Sequence, residues 1–280
     1  MMNEAFGIQH FDAKGVASIL LFFGILEAII GAFQHSKRTK WDYLTELVSF
    51  TQLSILIQPG IVYAVGLLGQ SFFPQFSGMF QYLPVLAQFL ILIVIEDLPQ
   101  YWWHRLAHKK YWLWKLHLAH HSSPSMGVGT AFRNAALYYF LMPNIWLAAV
   151  AVYLGFGKVY VIYTVVKMLI VIGAHSEVRW DKWLYSNRFL KPVAWLLERT
   201  ISTPATHFAH HGFTDSDGIS NGNGNFSNMF FFWDILFGTA KITRQYPSVF
   251  GAESSVGKMP WYVLLYYPFV RSKDKSSTLK

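Results

Sequence analysis

Long uncharged stretches alternate with short polar segments along this chain. No Asp, Glu, Lys or Arg lies between Glu46 and Glu96, and the stretch from Asn134 to Gly157 is also uncharged. Because a membrane-crossing helix needs about 20 mostly apolar residues, the first stretch is long enough to cross twice. The pattern predicts an all-α, polytopic membrane protein.

Breaks inside these stretches indicate where the chain turns. Residues 70–81 are polar and contain Pro74 and Gly78, and Gly155-Phe156-Gly157 interrupts the second stretch. We therefore expect two helical hairpins preceded by an apolar anchor, which makes about four to five spans. The predicted spans cover about residues 16–33, 47–69, 82–98, 137–155 and 158–174.

The basic residues predict which side of the membrane each connection faces. Cytoplasmic loops carry an excess of Lys and Arg, whereas the connection at 70–81 has neither. We therefore expect residues 99–135 and 175–258 to form a cytosolic helical part that caps the spans, within one domain covering 1–280. The protein is expected to be an integral, multi-pass protein of a bacterial inner membrane rather than of the endoplasmic reticulum. The basic residues on this side include Arg105, Lys109, Lys110, Lys115, Arg133, Arg179, Lys182, Arg188 and Lys191.

Composition narrows the possible chemistry. Only 14% of the residues are charged, and the net charge of +8 fits basic loops beside anionic lipid, so no nucleic-acid partner is expected. The chain has no cysteine, which excludes disulfides, Fe–S clusters and thiolate ligands. Any metal site must use histidine, carboxylate or amide groups.

Nine of the 11 histidines fall into four short motifs. On a helix, residues at i, i+3 and i+4 share one face, so each HxxHH motif presents three imidazoles together. Imidazole binds iron, zinc and copper, and eight or nine rings exceed what one ion accepts, so two metals are implied. The candidate ligands are His104 and His108 in HRLAH, His117, His120 and His121 in HLAHH, His175 in GAHSE, and His207, His210 and His211 in HFAHH.

These motifs, in this order and between two apolar hairpins, resemble the fatty acid hydroxylase and sterol desaturase superfamily of membrane di-iron enzymes. The sequences HHSSPSMGVGTAFR and NFSNMFFFWDILFGT, which follow the second and third motifs, are also similar to that family. The resemblance covers roughly residues 90–240. It implies a four-helix membrane core with a cytosolic cap, two iron ions, O2 as co-substrate and an external electron donor such as a ferredoxin or a cytochrome b5-like protein. One departure is that Phe226-Ser227 follows Asn225, where the family usually has Tyr-Gly.

Further residues near the motifs are candidates for supporting roles. Asp97 lies seven residues before His104, on the same helical face, and is expected to orient a ligand histidine by hydrogen bonding. Tyr101 and Asn225 are candidates for similar contacts. Lys167, inside a predicted span, is expected to extend its ammonium group toward the interface. The candidate substrate-binding residues are Trp102, Arg133, Phe230 and Trp233.

The expected function is oxidation of a lipid C–H bond. Breaking such a bond with O2 needs a metal that changes oxidation state, which favours iron, although zinc can occupy the same ligands in a purified protein. A desaturase would use the same site, and a zinc-dependent membrane hydrolase or a non-enzymatic metal-binding protein are the remaining alternatives. A fatty acyl chain, a sterol and an ether lipid all stay open as substrates.

Overall fold

The structure is a computed structural model that describes residues 2–252 and 259–271, with side chains described from residue 14 onward. Within this part of the chain every regular element is helical, and the one isolated β-bridge joins Gly212 and Phe250. The α-helices are α1 (Met2–Ile29), α2 (Ala32–His35), α3 (Lys40–Thr51), α4 (Gln58–Phe72), α5 (Val85–Leu92), α6 (Leu98–Lys109), α7 (Tyr111–His121), α8 (Ala136–Leu141), α9 (Pro143–Ala151), α10 (Gly157–His175), α11 (Asp181–Ser186), α12 (Lys191–Thr200), α13 (Pro204–His211), α14 (Phe232–Leu236) and α15 (Trp261–Tyr266).

Three helical segments of the described chain are long and apolar enough to cross a membrane. They are Lys40–Phe72, Val85–Lys109 and Pro143–His175. Large apolar side chains such as Leu56, Leu86 and Ile162 are exposed on them, as expected for surfaces that contact lipid. The all-helical membrane class is therefore confirmed, while four to five spans and a cytosolic cap stay predictions.

Two of these segments contain a π-helical turn placed shortly before a proline. Gln52–Ile57 precedes Pro59, and Ile93–Asp97 precedes Pro99. Proline has no N–H for the helical ladder, and a wider turn lets the preceding carbonyls find other donors. In both turns the next amide bonds five residues back, from Gln58 to Leu53 and from Leu98 to Ile93. The helix therefore continues past each proline.

This continuity joins a predicted span to a histidine motif. The helical segment that contains the span predicted for residues 82–98 continues to Lys109, so the HRLAH motif lies on the same segment, while the membrane boundary near residue 98 stays a prediction. The sequence-based expectation placed this motif in a separate cytosolic part. The rigid connection fixes His104 and His108 relative to the apolar segment below them.

The chain reverses direction at Gly155, as the sequence predicted. Gly155 has φ 107°, and a Cβ there would lie 2.8 Å from the Gln81 backbone nitrogen. Asn144 and Lys167, 23 residues apart, both contact the same oxygen of Glu96, whereas a straight helix of that length would separate them by roughly 35 Å. Pro143–His175 is therefore two antiparallel arms, α9 and α10.

The expectation that the Lys167 ammonium group extends to the membrane interface is wrong. Its side chain is buried within the helices and forms an ion pair with Glu96. The reversal at Gly155 carries Lys167 back to the level of Glu96, where a partner of opposite charge removes the need to reach water.

Candidate metal centre

The nine motif histidines converge from four helices into two adjacent groups. In each group every member offers a ring nitrogen within 4.8 Å of the others. The first group contains His104, His108, His117, His121 and His210, and the second contains His120, His175, His207 and His211. The structure thus brings together all nine residues that the sequence singled out, whereas His35 is exposed elsewhere.

Each HxxHH motif divides its three rings between the two groups. In α7, His117 and His121 join the first group and His120 joins the second, whereas in α13 only His210 joins the first. Residues at i and i+4 project on nearly one line, and the residue at i+3 projects to one side of it. Helix α7 therefore contributes two rings to the first group and one to the second, whereas α13 contributes one to the first and two to the second. Because both helices supply both groups, the groups lie side by side.

The capping of α13 helps to position its histidines. The helix begins with Pro204 in its first turn, and Thr203 and Thr206 form a reciprocal capping box. This arrangement satisfies amides that a short helix would otherwise leave without partners. The first turn is therefore fixed where His207 starts the motif.

Ring nitrogens inside the groups face one another rather than protein acceptors. His210 Nε2 lies 3.0 Å from His104 Nε2, and His207 Nε2 lies 2.9 Å from His175 Nε2. The Nε2 atoms of His108, His117 and His121 are buried without a hydrogen-bond partner in the described chain. Buried polar atoms are seldom left unpartnered, and shared coordination of metal ions satisfies them, so the arrangement fits two metal ions.

Hydrogen bonds on the other ring nitrogen set the tautomer. The Nδ1–H groups donate to acceptors outside the groups, so each Nε2 lone pair points inward. The acceptors are the Phe226 carbonyl for His104 (2.6 Å), the Gly224 carbonyl for His210 (2.7 Å), Asn134 Oδ1 for His117 (2.8 Å) and the Val171 carbonyl for His175 (2.7 Å).

Burial also favours the metal-binding form of the rings. Removal from water disfavours the imidazolium ion, so burial lowers the pKa values well below the usual range for histidine. The effect holds for His117, His120, His121, His207, His210 and His211. These rings are neutral at physiological pH, which is the state that coordinates a metal.

The loop 222–226 supports the first group with its backbone. The Phe226 carbonyl accepts from His104 and the Gly224 carbonyl accepts from His210. Asn225 has φ 52° and anchors this loop, because its amide donates to the Thr206 carbonyl at 2.8 Å and the Lys241 carbonyl at 2.9 Å. The candidate Asn225 therefore acts on the loop, and its side-chain hydrogen bonds within the described residues go to partners other than histidine.

The other two candidates for orienting a ligand also bond elsewhere. Asp97 accepts from the Trp233 indole at 2.9 Å and from the Phe230 amide at 3.2 Å. Seven residues correspond to about 10 Å along a helix, so Asp97 lies too far below His104 to reach its ring. Tyr101 bonds the Thr239 hydroxyl at 2.9 Å.

Asn134 is a positioning residue that motif spacing does not indicate. Its side-chain Oδ1 is the acceptor for His117, and its own backbone amide donates to the Ser49 hydroxyl oxygen at 2.9 Å. Only its place at the end of HHSSPSMGVGTAFRN hinted at a role. The sequence also gave no indication of the Gly224 and Phe226 carbonyls, because every residue has a backbone acceptor and its role leaves no residue-specific signal.

A cavity of about 230 Å³ opens onto both histidine groups. His104 and His117 of the first group and His120 and His175 of the second line it. From there it runs between the apolar segments, where Phe50, Leu53, Ile145 and Met168 are among its walls. An apolar chain can therefore reach both groups from the level of the membrane.

The four candidate substrate-binding residues do not line this cavity. Arg133 is buried, donates to the Ala119 carbonyl at 2.8 Å and pairs with Asp42 at 2.8 Å. Trp102 is exposed and packs against Phe237, while Phe230 and Trp233 contact Asp97. Arg133 was expected to meet a lipid headgroup, but its charge is offset by carboxylates that fix α3 to α7.

Comparison with known proteins identifies relatives of this chain. The chain is 28% identical over 176 residues to alkylglycerol monooxygenase of Danio rerio, which covers 62% of this chain and 35% of that protein. The corresponding proteins of Xenopus tropicalis and Homo sapiens are 30% identical over 144 and 143 residues, each match covering 51% of this chain and 28% of the relative. The matches thus span about a third of the relatives' length or less.

No solved structure gives a significant match to the chain. The family model for fatty acid hydroxylase matches residues 89–239, which is more than half of the chain and contains all nine clustered histidines. The family resemblance drawn from the motifs is confirmed. The chain belongs to the fatty acid hydroxylase family.

Proposed function

We propose that this protein hydroxylates a C–H bond of a membrane lipid, using O2 and two iron ions held by the nine histidines. The observation that carries the proposal is the cavity that joins both histidine groups to the apolar segments. It allows a lipid chain to reach the histidines without leaving an apolar environment.

Different residues would supply the different requirements of this reaction. Bound iron would supply redox chemistry with O2, which zinc cannot supply. The histidines of the two groups would hold the ions. The carbonyls of Phe226 and Gly224 and the Asn134 side chain keep three rings in the coordinating tautomer. The apolar cavity walls exclude water and align the chain.

An ether lipid is the substrate class we favour over a fatty acyl chain or a sterol. The named relatives are alkylglycerol monooxygenases, and each match covers at least half of this chain. A desaturase would begin with the same C–H bond and the same histidines, so product analysis must separate the two reactions.

Hydroxylation by O2 also requires two electrons and two protons, because one oxygen atom enters the lipid and the other leaves as water. The chain has no cysteine for an Fe–S cluster, and an external donor is therefore part of the proposal. We place the active site on the cytoplasmic side of a bacterial inner membrane, where a ferredoxin or a cytochrome b5-like protein would dock.

The direct test uses protein purified in lipid nanodiscs with iron, a reductant and 1-O-hexadecylglycerol. We expect reductant-dependent O2 uptake and a product that carries one atom of 18O from labelled O2. Loss of one ligand in His210→Ala should lower turnover by at least about 100-fold, since even groups behind metal ligands contribute 10–100-fold. The protein should still insert, because apolar segments drive insertion.

His35→Ala is the matched control, because His35 is exposed and lies outside both groups. It should retain full turnover. Protein that stays redox-silent after it has been loaded with iron, or equal activity in His210→Ala and His35→Ala, would refute the proposal. An unsaturated product without 18O would assign a desaturase instead.

A further inference from the structure

A polar cluster interrupts the apolar wall of the cavity within the membrane segments. Glu96, Gln100, Asn144 and Lys167 all line the cavity there. Glu96, Asn144 and Lys167 are each less than 8% exposed. Ionisable groups inside membrane segments are costly and usually serve a function, which makes this cluster a candidate ligand site.

The charges in the cluster offset each other. Lys167 Nζ donates to Glu96 Oε1 and Gln100 Oε1. Glu96 also accepts from the Asn144 amide at 2.9 Å and from the Tyr163 hydroxyl at 2.6 Å. The Glu96 carboxyl group and the Lys167 amine offset each other, and the nearby Asp97 carboxyl group, which is buried outside the cavity lining, interacts electrostatically with both.

The cluster keeps unused hydrogen-bonding capacity. Asn144 Oδ1 is buried and has no partner in the described chain. The Lys167 ammonium has three N–H groups and two acceptors among the described residues, which leaves one N–H group for a ligand. A free acceptor and a free donor on neighbouring residues match an alcohol, whose hydroxyl both donates and accepts.

The position of the cluster relates it to the histidines. Glu96 lies eight residues before His104, and Lys167 lies eight residues before His175. Both separations correspond to about 12 Å of helix, so the cluster and the histidines face one cavity at two levels. A lipid whose polar group occupies the cluster can extend its chain toward the histidines.

An ion pair that merely joins the helices is the competing explanation. Buried pairs contribute little net stability compared with apolar packing, because desolvation offsets their attraction. That explanation also leaves the unpartnered oxygen of Asn144 unexplained.

We propose that Asn144 and Lys167 bind an uncharged hydroxyl group of the lipid, so that the site selects a neutral hydroxyl-bearing lipid over a free fatty acid. A carboxylate ligand would place a second negative charge beside Glu96 in an environment of low dielectric constant. That this ligand is also the substrate rests on the proposed function.

Binding without turnover tests the inference. Radiolabelled 1-O-hexadecylglycerol and palmitate are titrated into the protein in nanodiscs, with no reductant present. The wild-type protein should bind 1-O-hexadecylglycerol at least about tenfold more tightly than palmitate, which corresponds to one buried hydrogen bond and one avoided charge repulsion. Equal affinities in the wild-type protein would overturn the inference without any variant.

Three variants separate recognition from packing. Asn144→Leu should weaken 1-O-hexadecylglycerol binding about tenfold and leave palmitate binding unchanged, because it removes only the free acceptor. Glu96→Gln leaves the Lys167 cation without its counter-charge and should reverse the preference toward palmitate. Lys158→Met is the control, since Lys158 lies on the same helix, is exposed and does not line the cavity.

The cluster would only join helices if Asn144→Leu and Glu96→Gln both preferred 1-O-hexadecylglycerol over palmitate to the same degree as the wild-type protein. The result is independent of catalysis. Cluster-dependent binding without any oxidised product would leave this inference standing and refute the proposed function, whereas oxidation with unchanged preferences would do the opposite.

Discussion

For four of the clustered histidines, a single hydrogen bond at Nδ1 determines which ring nitrogen faces the other members of its group. Of the four acceptors that bond a histidine Nδ1, three are backbone carbonyls and the fourth is the side-chain Oδ1 of Asn134. A side-chain acceptor can be removed by substitution without changing the backbone. Asn134 therefore gives the cleanest test at this scale.

We expect Asn134→Leu to lose metal far more readily than the wild-type protein. Without Oδ1, the His117 ring can rotate or change tautomer, and loss of such a contact typically costs 10–100-fold in metal affinity. Metal retained per chain, measured by mass spectrometry after dialysis against a graded series of chelator concentrations, reports the effect.

Asn134→Asp is the matched variant, because it retains an oxygen acceptor at the same place. Its metal retention should stay within a few-fold of the wild-type value. Indistinguishable chelator curves for the Leu variant and the wild-type protein would mean that His117 needs no support from Asn134.

At the scale of elements, the 222–226 loop matters as much as the helices that bear the histidines. Its backbone carbonyls accept from His104 and His210, which are two of the five members of the first group. The second group instead takes a carbonyl of α10 itself, from Val171 to His175. Disturbing the loop should therefore affect the first group selectively.

Gly224→Ala provides that disturbance. A Cβ at residue 224 would overlap Asn221 Nδ2 and the Thr239 carbonyl oxygen, so the loop must shift. We expect metal content to fall from about two ions to about one per chain, because the rings of the first group lose their acceptors. The measurement is metal stoichiometry on the purified, folded variant.

Gly222→Ala is the control within the same loop. The nearest atom to a Cβ there is the His210 carbonyl oxygen at 4.0 Å, so the added methyl group fits without a shift. This variant should keep the wild-type stoichiometry. Equal loss of both metals in Gly224→Ala would contradict the selective role of the loop.

For the whole molecule, the basic side chains near the histidine-bearing helices are the docking face that we propose for the external electron donor. Several of them are occupied within the protein: Arg133 pairs with Asp42, Arg179 with Glu177, and Arg105 donates to Tyr101. Lys109, Lys110, Lys182, Arg188 and Lys191 remain exposed. A positive face of this kind attracts an acidic partner and speeds its encounter.

Donor-dependent turnover should therefore slow as salt rises from about 0.05 to 0.5 M, because screening shortens the range of attraction. The double variant Lys109→Glu/Lys110→Glu should raise the apparent KM for an acidic ferredoxin several-fold and leave kcat at saturating donor nearly unchanged. Steady-state kinetics at two salt concentrations measure both effects.

Lys158→Glu controls for net charge, since Lys158 is exposed near the Gly155 turn, at the opposite end of α10 from His175. It should leave the donor KM unchanged. A donor KM that responds to neither salt nor the double reversal would assign the basic face to the membrane surface alone.

The sequence by itself determined the features that depend on local geometry. Helical periodicity and uncharged length predicted the apolar segments and the Gly155 turn, because neither requires knowledge of distant residues. The HxxHH spacing predicted ligand clusters for the same reason, since residues at i, i+3 and i+4 share a face in any helix. The motifs also carried the family assignment.

Only the tertiary structure decided which residues meet across long separations. It divided the HxxHH rings between two groups, gave His117 its acceptor on Asn134 and directed Asp97 to Trp233. It also carried Lys167 back to Glu96. These outcomes depend on how helices pack and on where one proline or glycine redirects the chain, and residue spacing along the sequence does not record either.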